Sequence, residues 1–463
     1  MIKFGTDGWR DIIADRFTFE NVRIVAQAYA RHILRQGGKR VVVGHDTRFL
    51  ADRFAAAAAQ TLAANGLEVY LSGCYVPTPV LSFAVKHLQA DGGVMLSASH
   101  NPPEYCGFKL KGAYGGSATP EMVKDVERHL GETPAVFDPA QHTVQTFDVQ
   151  EAYYQHLSDL LDLETLRRFT GTFYHDSMGG AGCGWISGFL KHARLDGIKL
   201  QELHATPNPM FYGVNPEPLP QNLAETMQVM QSAPVDSFAA VTDGDADRIG
   251  AVVAGGQFFN SHQIFAVLLR HLHDRGLRGR VVQTVSVSGL IAALSEKLGL
   301  EVTTTPIGFK YITEEMLQGD ILIGGEESGG LGVKGHLPER DGILNGLLMM
   351  EAVARSGKSL SELFREVEDL TGLKHAYDRI DLKLPSLAIK DQMMQKLNTP
   401  GPVAGREVLS IDTRDGIKWF LQGGAWVMFR ASGTEPVLRV YAEAGSEEAV
   451  QEILQAALHL LGA

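Results

Sequence analysis

The stretch NVRIVAQAYARHILRQGGKRVVVG, residues 21–44, sets the structural pattern of the first part of the chain. Its apolar residues between positions 22 and 33 recur at the spacing of one face of a helix, and the glycine pair at 37–38 ends that helix. The run at 40–44 is short, β-branched and uninterrupted, which is typical of a buried strand. A helix followed closely by a buried strand predicts α/β layers.

The same alternation continues along the chain and then gives way to grouped strands. It restarts at 170–176 and at 280–287, whereas beyond Gly372 five strand-like runs follow, with a hairpin turn at 414–416 and a closing helix at 447–461. We therefore predict an α/β protein of four domains, three similar α/β domains with mixed sheets plus a C-terminal α+β domain. The predicted domains are residues 1–146, 147–253, 254–372 and 373–463.

Two local predictions accompany this division. The periodicity at 151–168 predicts one helix, and the polar stretch at 131–147 and the segment 253–259 are candidate domain junctions.

Composition limits the class of protein. The chain has 463 residues, 44% hydrophobic and 21% charged, which are ordinary globular values, and its formal net charge of −12 disfavours a non-specific nucleic-acid binder. Three cysteines without a CxxC pair exclude a disulfide framework and a cysteine-based zinc site. No membrane segment or signal peptide is recognisable, so we expect a cytoplasmic protein without a membrane partner.

A polar loop follows the predicted strand that ends at Leu96. It reads Ser-Ala-Ser-His-Asn-Pro over residues 97–102, which places Ser99 and His100 at the carboxyl end of a strand, where α/β proteins bind ligands. No G-x-S-x-G surrounds either serine, so a hydrolase nucleophile elbow is excluded. Such a serine could carry a phosphoryl group, although composition alone favours a plain turn.

A second loop carries three aspartates at alternate positions, Asp243, Asp245 and Asp247, after an apolar run. In a strand they would spread over roughly 13 Å, so only a tight loop could gather them around one ion. Oxygen ligands favour a hard cation such as Mg²⁺. Arg248 and Ala254 stand where an EF-hand needs glycine and glutamate, so that calcium motif is excluded.

Two further loops suit a sugar and a phosphate. Residues 324–330 place four glycines around Glu326, Glu327 and Ser328, so that backbone, carboxylate and hydroxyl could contact sugar hydroxyls. The charged residues nearby, at 310, 334, 336, 340 and 341, could serve the same pocket or face solvent. Residues 430–436, with Arg439 beyond, combine guanidiniums, hydroxyls and a glycine, which favours a phosphate site.

The four loops, in this order and one per predicted domain, resemble those of the α-D-phosphohexomutase family. The resemblance extends from residues 4–10 through 43–48 to 430–441, and it is closest to the bacterial and archaeal phosphoglucomutase/phosphomannomutase enzymes. It implies four domains around a central cleft. It also implies reversible transfer of phosphate between the 1- and 6-positions of a glucose or mannose phosphate, with Mg²⁺ and with a hexose 1,6-bisphosphate as activator and intermediate.

The resemblance also implies residue roles. Ser99 would be the phosphoserine and would share Mg²⁺ with the three aspartates, while Glu326 and Ser328 would bind the sugar. The residues implied around the reacting phosphate are Arg10, His100, Lys109 and Arg248. Those implied around the other phosphate are Arg430, Ser432, Gly433, Thr434 and Arg439.

Two departures from the family's motifs leave the general acid and base of the reaction unassigned. Gly330 and the run Gly308-Phe309-Lys310 stand where some relatives have a histidine, so Lys109, Arg10 or His336 would have to move the proton. The alternatives for function are a phosphoglucosamine mutase, a Mg²⁺-dependent phosphatase using Asp243 as nucleophile, or a non-catalytic sugar-phosphate sensor. We expect a small-molecule sugar phosphate as partner, no nucleic acid, and a monomer or homodimer.

Overall fold

Four β-sheets follow one another along the chain in a computed structural model, which describes residues 2–5, 7–397, 399–431 and 436–462, apart from the side chain of residue 387. Three sheets are mixed and flanked by helices, and the fourth is antiparallel. This confirms the predicted fold class. Within the described ranges, none of the helices is long and apolar enough to cross a membrane.

The first sheet has the strand order β1-β5-β4-β2-β3-β6. Its elements are β1 (Trp9–Ile12), α1 (Phe19–Arg35), β2 (Arg40–His45), α2 (Ala51–Ala64), β3 (Glu68–Ser72), α3 (Thr78–His87), β4 (Gly92–Leu96), β5 (Tyr105–Gly112), α4 (Pro120–Glu127) and β6 (Val144–Phe147). Strands β2, β3, β4 and β6 are parallel, and β5 returns antiparallel to β4. The helix and strand predicted within residues 21–44 are α1 and β2.

The second sheet has the order β11-β10-β9-β7-β8. Its elements are α5 (Gln150–Leu160), α6 (Leu163–Leu166), β7 (Thr172–Asp176), α7 (Trp185–His192), β8 (Lys199–Leu203), two 3₁₀ turns (Phe211–Gly213 and Pro220–Asn222), α8 (Ala224–Met230), β9 (Phe238–Thr242), β10 (Ile249–Val253) and β11 (Gln257–Phe259). The single helix predicted over 151–168 is wrong. The side chain of Asp162 caps α6 by accepting from the Thr165 amide, which starts a separate short helix.

The third sheet has the order β13-β12-β14-β15. Its elements are α9 (Ser261–Asp274), β12 (Arg280–Thr284), α10 (Gly289–Lys297), β13 (Val302–Thr305), α11 (Phe309–Gln318), β14 (Ile321–Gly325), β15 (Leu331–Val333), α12 (Gly342–Ser356) and α13 (Leu360–Thr371). One hydrophobic core extends through the first three units, from Phe83 through Phe173 to Leu344. These units are therefore packed against one another.

The fourth sheet has the order β16-β20-β19-β18-β17. Its elements are β16 (Ala376–Lys383), α14 (Leu387–Lys396), β17 (Val408–Asp412), β18 (Ile417–Leu421), β19 (Trp426–Ala431), β20 (Val437–Ala444) and α15 (Glu447–Leu461). One face packs on α15, and the other presents Trp426, Met428 and Tyr441 to Val285 and Ile307 of the third unit. The fourth unit thus has a core of its own and a small apolar contact with the third.

The four loops singled out in the sequence occupy equivalent places. Each joins a strand to an antiparallel neighbour: β4 to β5, β9 to β10, β14 to β15, and β19 to β20. Because such a connection turns the chain back, each of the first three units presents a loop at one end of its sheet, and the ends of β19 and β20 mark the corresponding place in the fourth. This repeated position is what the fold contributes to the site.

The predicted domain boundaries stay predictions. Strand β11 pairs with β10 in the second sheet, so the candidate junction at 253–259 contains a hairpin. We propose that the second boundary falls after residue 259 instead of after residue 253.

Candidate active site

The serine loop is held by one buried arginine. The guanidinium of Arg48 forms an ion pair with Asp46 at 3.2 Å, and both side chains are fully buried. It donates to the carbonyl oxygens of Ser99 (2.7 Å), Asn101 (2.6 Å), Pro102 (2.8 Å) and Tyr105 (2.9 Å). Ser99 has φ = 53°, in the left-handed region that non-glycine residues rarely adopt. Arg48 therefore stabilises an unusual backbone conformation at Ser99.

The aspartate loop turns tightly between β9 and β10. One carboxylate oxygen from each of Asp243, Asp245 and Asp247 lies within 4.8 Å of the others, and all three residues are buried. Ala246 takes a left-handed φ of 58°, which lets the loop gather side chains that a strand would spread apart. The structure thus brings together the three aspartates that the sequence predicted as metal ligands.

Ser99 reaches this triad directly. Its Oγ donates to Asp243 Oδ2 at 2.7 Å, and the amide of Arg248 donates to Asp243 Oδ1 at 3.1 Å. Burial, followed by the charges of Asp247 and Asp245, raises the pKa of Asp243 to about 8. Excess negative charge of this kind, on oxygen ligands, fits a divalent cation.

Two carboxylate oxygens of the triad have unfilled hydrogen-bonding capacity. Asp245 Oδ1 and Asp247 Oδ1 are buried and have no hydrogen-bond partner among the described residues. Buried polar atoms usually have partners, and a metal ion is one of the explanations when they do not. The residues present therefore fit a cation.

Lys109 lies against the other oxygens of the triad. Its Nζ is 2.7 Å from Asp245 Oδ2, 2.9 Å from Asp247 Oδ2 and 3.0 Å from Asp7 Oδ2, and its side chain is fully buried. Burial by itself would lower the pKa of Lys109, but the three carboxylates together raise it. Lys109 is therefore held as a cation at the centre of the site.

Arg340 is one of the charged residues that the sequence could assign either to the pocket or to the solvent-exposed surface, and the structure places it in the site. It donates to Asp7 Oδ2 at 2.7 Å, lies 2.7 Å from Asp247 Oδ2, and lies 3.7 Å from Glu326 Oε2. It thereby connects the N-terminal segment, the aspartate loop and the sugar loop. Asp7 is likewise a site residue that the sequence reasoning missed.

The sugar loop places Glu326 inward. The amide of Gly308 donates to its Oε1 at 3.1 Å, and burial raises the pKa of Glu326 to about 7 despite the nearby charge of Arg340. A buried carboxyl of this kind can both donate to and accept from sugar hydroxyls. Ser328 is partly exposed on the same turn.

The two described arginines of the phosphate loop are anchored by carboxylates. Arg430 Nε lies 3.1 Å from Asp415 Oδ1, and Arg439 Nε lies 3.5 Å from Asp381 Oδ2. Asp415 also accepts from the Ile307 amide at 2.9 Å, which ties this end of the fourth sheet to the third unit. The other predicted phosphate-binding residues, Ser432, Gly433 and Thr434, lie outside the described residues.

The His100 side chain is influenced by positive charges from three units. Burial and then the charges of four guanidiniums hold the pKa of His100 well below its usual value; in decreasing order of effect they belong to Arg248, Arg10, Arg439 and Arg379. Arg10 also donates to Asn101 Oδ1 at 2.9 Å. The predicted catalytic residues of the first and second units therefore lie near the arginines of the fourth.

His336, one of the three residues considered for proton transfer, lies apart from this group. Its Nε2 is 3.0 Å from Asp341 Oδ2, its Nδ1 is 2.9 Å from His156 Nε2, and its side chain is fully buried. Of the three candidates, only Lys109 and Arg10 lie among the described residues of the site.

Sequence profiles of one family match most of the chain. The profiles of phosphoglucomutase/phosphomannomutase match as alpha/beta/alpha domain I at residues 1–135, domain II at 151–256, domain III at 260–370 and the C-terminal domain at 380–460. The chain belongs to the phosphoglucomutase/phosphomannomutase family. This confirms the predicted class of enzyme, a phosphohexomutase, which is an isomerase of carbohydrate metabolism acting by phosphoryl transfer.

Individual relatives cover the full chain. A phosphoglucomutase/phosphomannomutase of Thermococcus kodakarensis is 30% identical over 99% of this chain and 98% of its own. A Thermococcus gammatolerans protein, provisionally named a phosphoglucosamine mutase, is 31% identical over the same shares. A crystal structure from Thermus thermophilus, provisionally named a phosphomannomutase, has a TM-score of 0.91, with 49% identity over 100% of this chain and 99% of that one. The family is therefore shown, while the relatives' names divide between sugars.

Proposed function

We propose that the protein transfers phosphate reversibly between the 1- and 6-positions of glucose or mannose phosphate, through phospho-Ser99 and a hexose 1,6-bisphosphate. The observation that carries this proposal is the hydrogen bond from Ser99 Oγ to Asp243 Oδ2 within a buried carboxylate triad. Phosphoryl transfer depends mainly on positioning and charge neutralisation, and a serine beside a cation site and several guanidiniums provides both.

Asp243, Asp245 and Asp247, with an oxygen on Ser99, would hold a divalent cation, and we propose Mg²⁺ because every ligand is oxygen. When bound, the cation supplies charge neutralisation at the phosphoryl oxygens. The unpartnered oxygens of Asp245 and Asp247 support this assignment.

The chain's own residues would do the remaining work around Ser99. Arg48 fixes the backbone at Ser99, and Lys109 and Arg248 add positive charge beside the aspartates. Arg10 and His100 would complete the lining of the reacting phosphate. A hydroxyl that attacks phospho-Ser99 must lose its proton. Lys109 and Arg10 are cations, so we propose that they assist by stabilising the negative charge that develops on that oxygen, while an oxygen of the transferred phosphoryl group takes up the proton.

The substrate would be held at two further points. Glu326 and Ser328 would bind the sugar hydroxyls, and Arg430 and Arg439, with Ser432, Gly433 and Thr434, would bind the phosphate that is not reacting. An intermediate with two phosphates must reverse its orientation, so this second site has to accept a phosphate from either end of the sugar.

The phosphoserine is tested by the mass of the Ser99 peptide. After incubation of the protein with glucose 1,6-bisphosphate and Mg²⁺, we expect that peptide to gain one phosphoryl group, and Ser99→Ala to gain none. A wild-type peptide that is never phosphorylated would overturn the mechanism. If isomerisation were absent as well, the result would favour a sugar-phosphate sensor.

The sugar is tested by turnover. Rates with glucose 1-phosphate, mannose 1-phosphate and glucosamine 1-phosphate separate the proposal from its nearest alternative, which the name of the Thermococcus gammatolerans relative favours. Reaction of the amino sugar alone would reassign the protein as a phosphoglucosamine mutase. A phosphatase acting through Asp243 is disfavoured because it gives no role to the buried Ser99, whose Oγ donates to Asp243, or to the arginines of the phosphate loop.

A further inference from the structure

The face of the fourth sheet that packs against the third unit carries a third arginine, which the phosphate motif does not contain. In the antiparallel register Arg439 of β20 lies opposite Arg430 of β19 and opposite Asp381 of β16. Arg379 lies two residues before Asp381, so its side chain is on the same face. Three arginines on neighbouring strands therefore share one face at one end of this sheet.

Arg379 is held in place by two carboxylates from different units. Its Nε lies 3.0 Å from Asp381 Oδ1, and its Nη2 lies 3.8 Å from Glu217 Oε1, which belongs to the second unit. The same Glu217 oxygen lies 4.0 Å from Arg248 Nη1. Glu217 thus joins an arginine beside the serine and the aspartates to an arginine of the fourth sheet.

The charged groups form a continuous path between the two proposed phosphate positions. From the serine it passes through Asp243, Arg248, Glu217, Arg379 and Asp381 to Arg439. The Nε atoms of Arg248 and Arg439 are buried and have no hydrogen-bond partner within the described part of the chain. Guanidinium donors near Arg379 are therefore unfilled at both ends of the path.

The fourth-sheet face offers guanidinium donors to an anion. Arg379, Arg430 and Arg439 carry three positive charges, which the carboxylates of Asp381, Asp415 and Glu217 balance, and the Nε of Arg439 has no hydrogen-bond partner among the described residues. A phosphate monoester, which offers several oxygens to planar guanidinium forks, suits this arrangement better than a carboxylate does.

We propose that Arg379 is a further substrate-binding residue, which donates to the phosphate monoester held by Arg430 and Arg439. Glu217 is its positioning residue, because it fixes Arg379 relative to Arg248. This inference rests on the proposed function and adds a residue to the second phosphate site.

The test measures binding without turnover. Calorimetric titration of the Ser99→Ala protein with glucose 1-phosphate, and separately with inorganic phosphate, gives two dissociation constants. We expect Arg379→Ala to weaken the binding of glucose 1-phosphate roughly 10- to 100-fold, the range for losing hydrogen bonds to a charged group. The binding of inorganic phosphate should weaken by a similar factor if it occupies the same site. The affinity of Arg379→Lys should lie between those of the parent protein and Arg379→Ala, because lysine keeps the charge and loses the planar guanidinium group.

Two controls separate binding from a structural role. Arg406→Ala removes the same charge from the fourth unit, but Arg406 faces Glu452 of α15, so binding should stay within about threefold of that of the parent protein. If Arg379 served only as an interdomain tie, Glu217→Gln would weaken binding as much as Arg379→Ala does. We expect a smaller effect from Glu217→Gln.

The outcomes distinguish this inference from the proposed function. If the parent protein bound glucose 1-phosphate and Arg379→Ala bound it equally well, the role of Arg379 would be wrong and the proposed function would stand. If the parent protein bound no hexose phosphate, both would fall. An equal loss with Glu217→Gln and Arg379→Ala would also overturn the binding role. Thermal unfolding of each variant confirms that the proteins compared are folded.

Discussion

Gly244 lies where the aspartate loop packs closely against the serine loop. A Cβ placed on Gly244 would lie 2.4 Å from the carbonyl oxygen of Ser99 and 3.2 Å from Cγ of Pro216. Ordinary contacts of a Cβ begin at 3.4 Å, so the two loops would have to separate by about 1 Å. The carbonyl cannot yield freely because Arg48 also donates to it.

Gly244→Ala should therefore impair the reaction more than the fold. Overpacking of this kind costs roughly 1–3 kcal/mol of unfolding free energy. A misplacement of about 1 Å in a reacting group can cost on the order of 100-fold in rate. If the shift fell on the serine loop, the 2.7 Å hydrogen bond from Ser99 to Asp243 would break. We expect phosphorylation of Ser99 by glucose 1,6-bisphosphate to slow by about that factor.

Gly197→Ala is the matched control. It lies in the same unit, a Cβ there meets nothing within 4 Å, and its φ is not in the left-handed region. The assay follows phosphorylated Ser99 peptide against time by mass spectrometry, with circular dichroism to confirm folding. A Gly244→Ala rate within threefold of the Gly197→Ala rate would refute the argument that this contact sets the position of the serine.

Three further predictions follow from single contacts. Arg48→Lys should slow phosphorylation of Ser99 at least tenfold, because a lysine cannot donate to four carbonyls and a carboxylate together. An unchanged rate would mean that the loop keeps its shape without the guanidinium. At 100 times its dissociation constant, Mg²⁺ should stabilise the wild-type protein by about 2.7 kcal/mol and so raise its melting temperature. Asp247→Asn should lose most of that rise, and equal rises in the two proteins would contradict the metal site. The hydrogen bond to Asp176 raises the pKa of His204 to about 9. Protonated His204 therefore stabilises the folded protein fully below pH ~6.5, and this contribution is lost as the pH rises through 9. Urea midpoints should therefore fall less between pH 6 and pH 10 for His204→Gln than for the wild type, and identical slopes would contradict this.

The sequence predicts well those features whose determinants are close together in the chain. The aspartate loop is readable because its three carboxylates stand within five residues, and a turn is the simplest way to gather them. Strands β17 to β20 can be predicted because antiparallel neighbours follow one another, and the turn predicted at 414–416 and the helix predicted at 447–461 agree with the β17–β18 hairpin and with α15. The fold class was accessible for the same reason.

Residues whose roles depend on distant partners could not be found in this way. Arg340 donates to Asp7 across 333 residues of sequence, so its spacing to any motif carries no information. Glu217 stands in an irregular loop, and only the packing of the units brings it near Arg248 and Arg379. The break between α5 and α6 was missed for a local reason, since the cap at Asp162 outweighs a continuous apolar periodicity.

The acidity of the chain and the phosphate chemistry of its site are compatible because charge is balanced locally. Around the serine, the four carboxylates of Asp7 and the aspartate triad face four cations, Lys109, Arg340, Arg248 and Arg10. A phosphoryl group on Ser99 adds about two negative charges, and a divalent cation adds two positive ones. The site can therefore accept both together without a change in net charge. The net charge of −12 describes the whole chain, and the reaction depends on this balance inside the site.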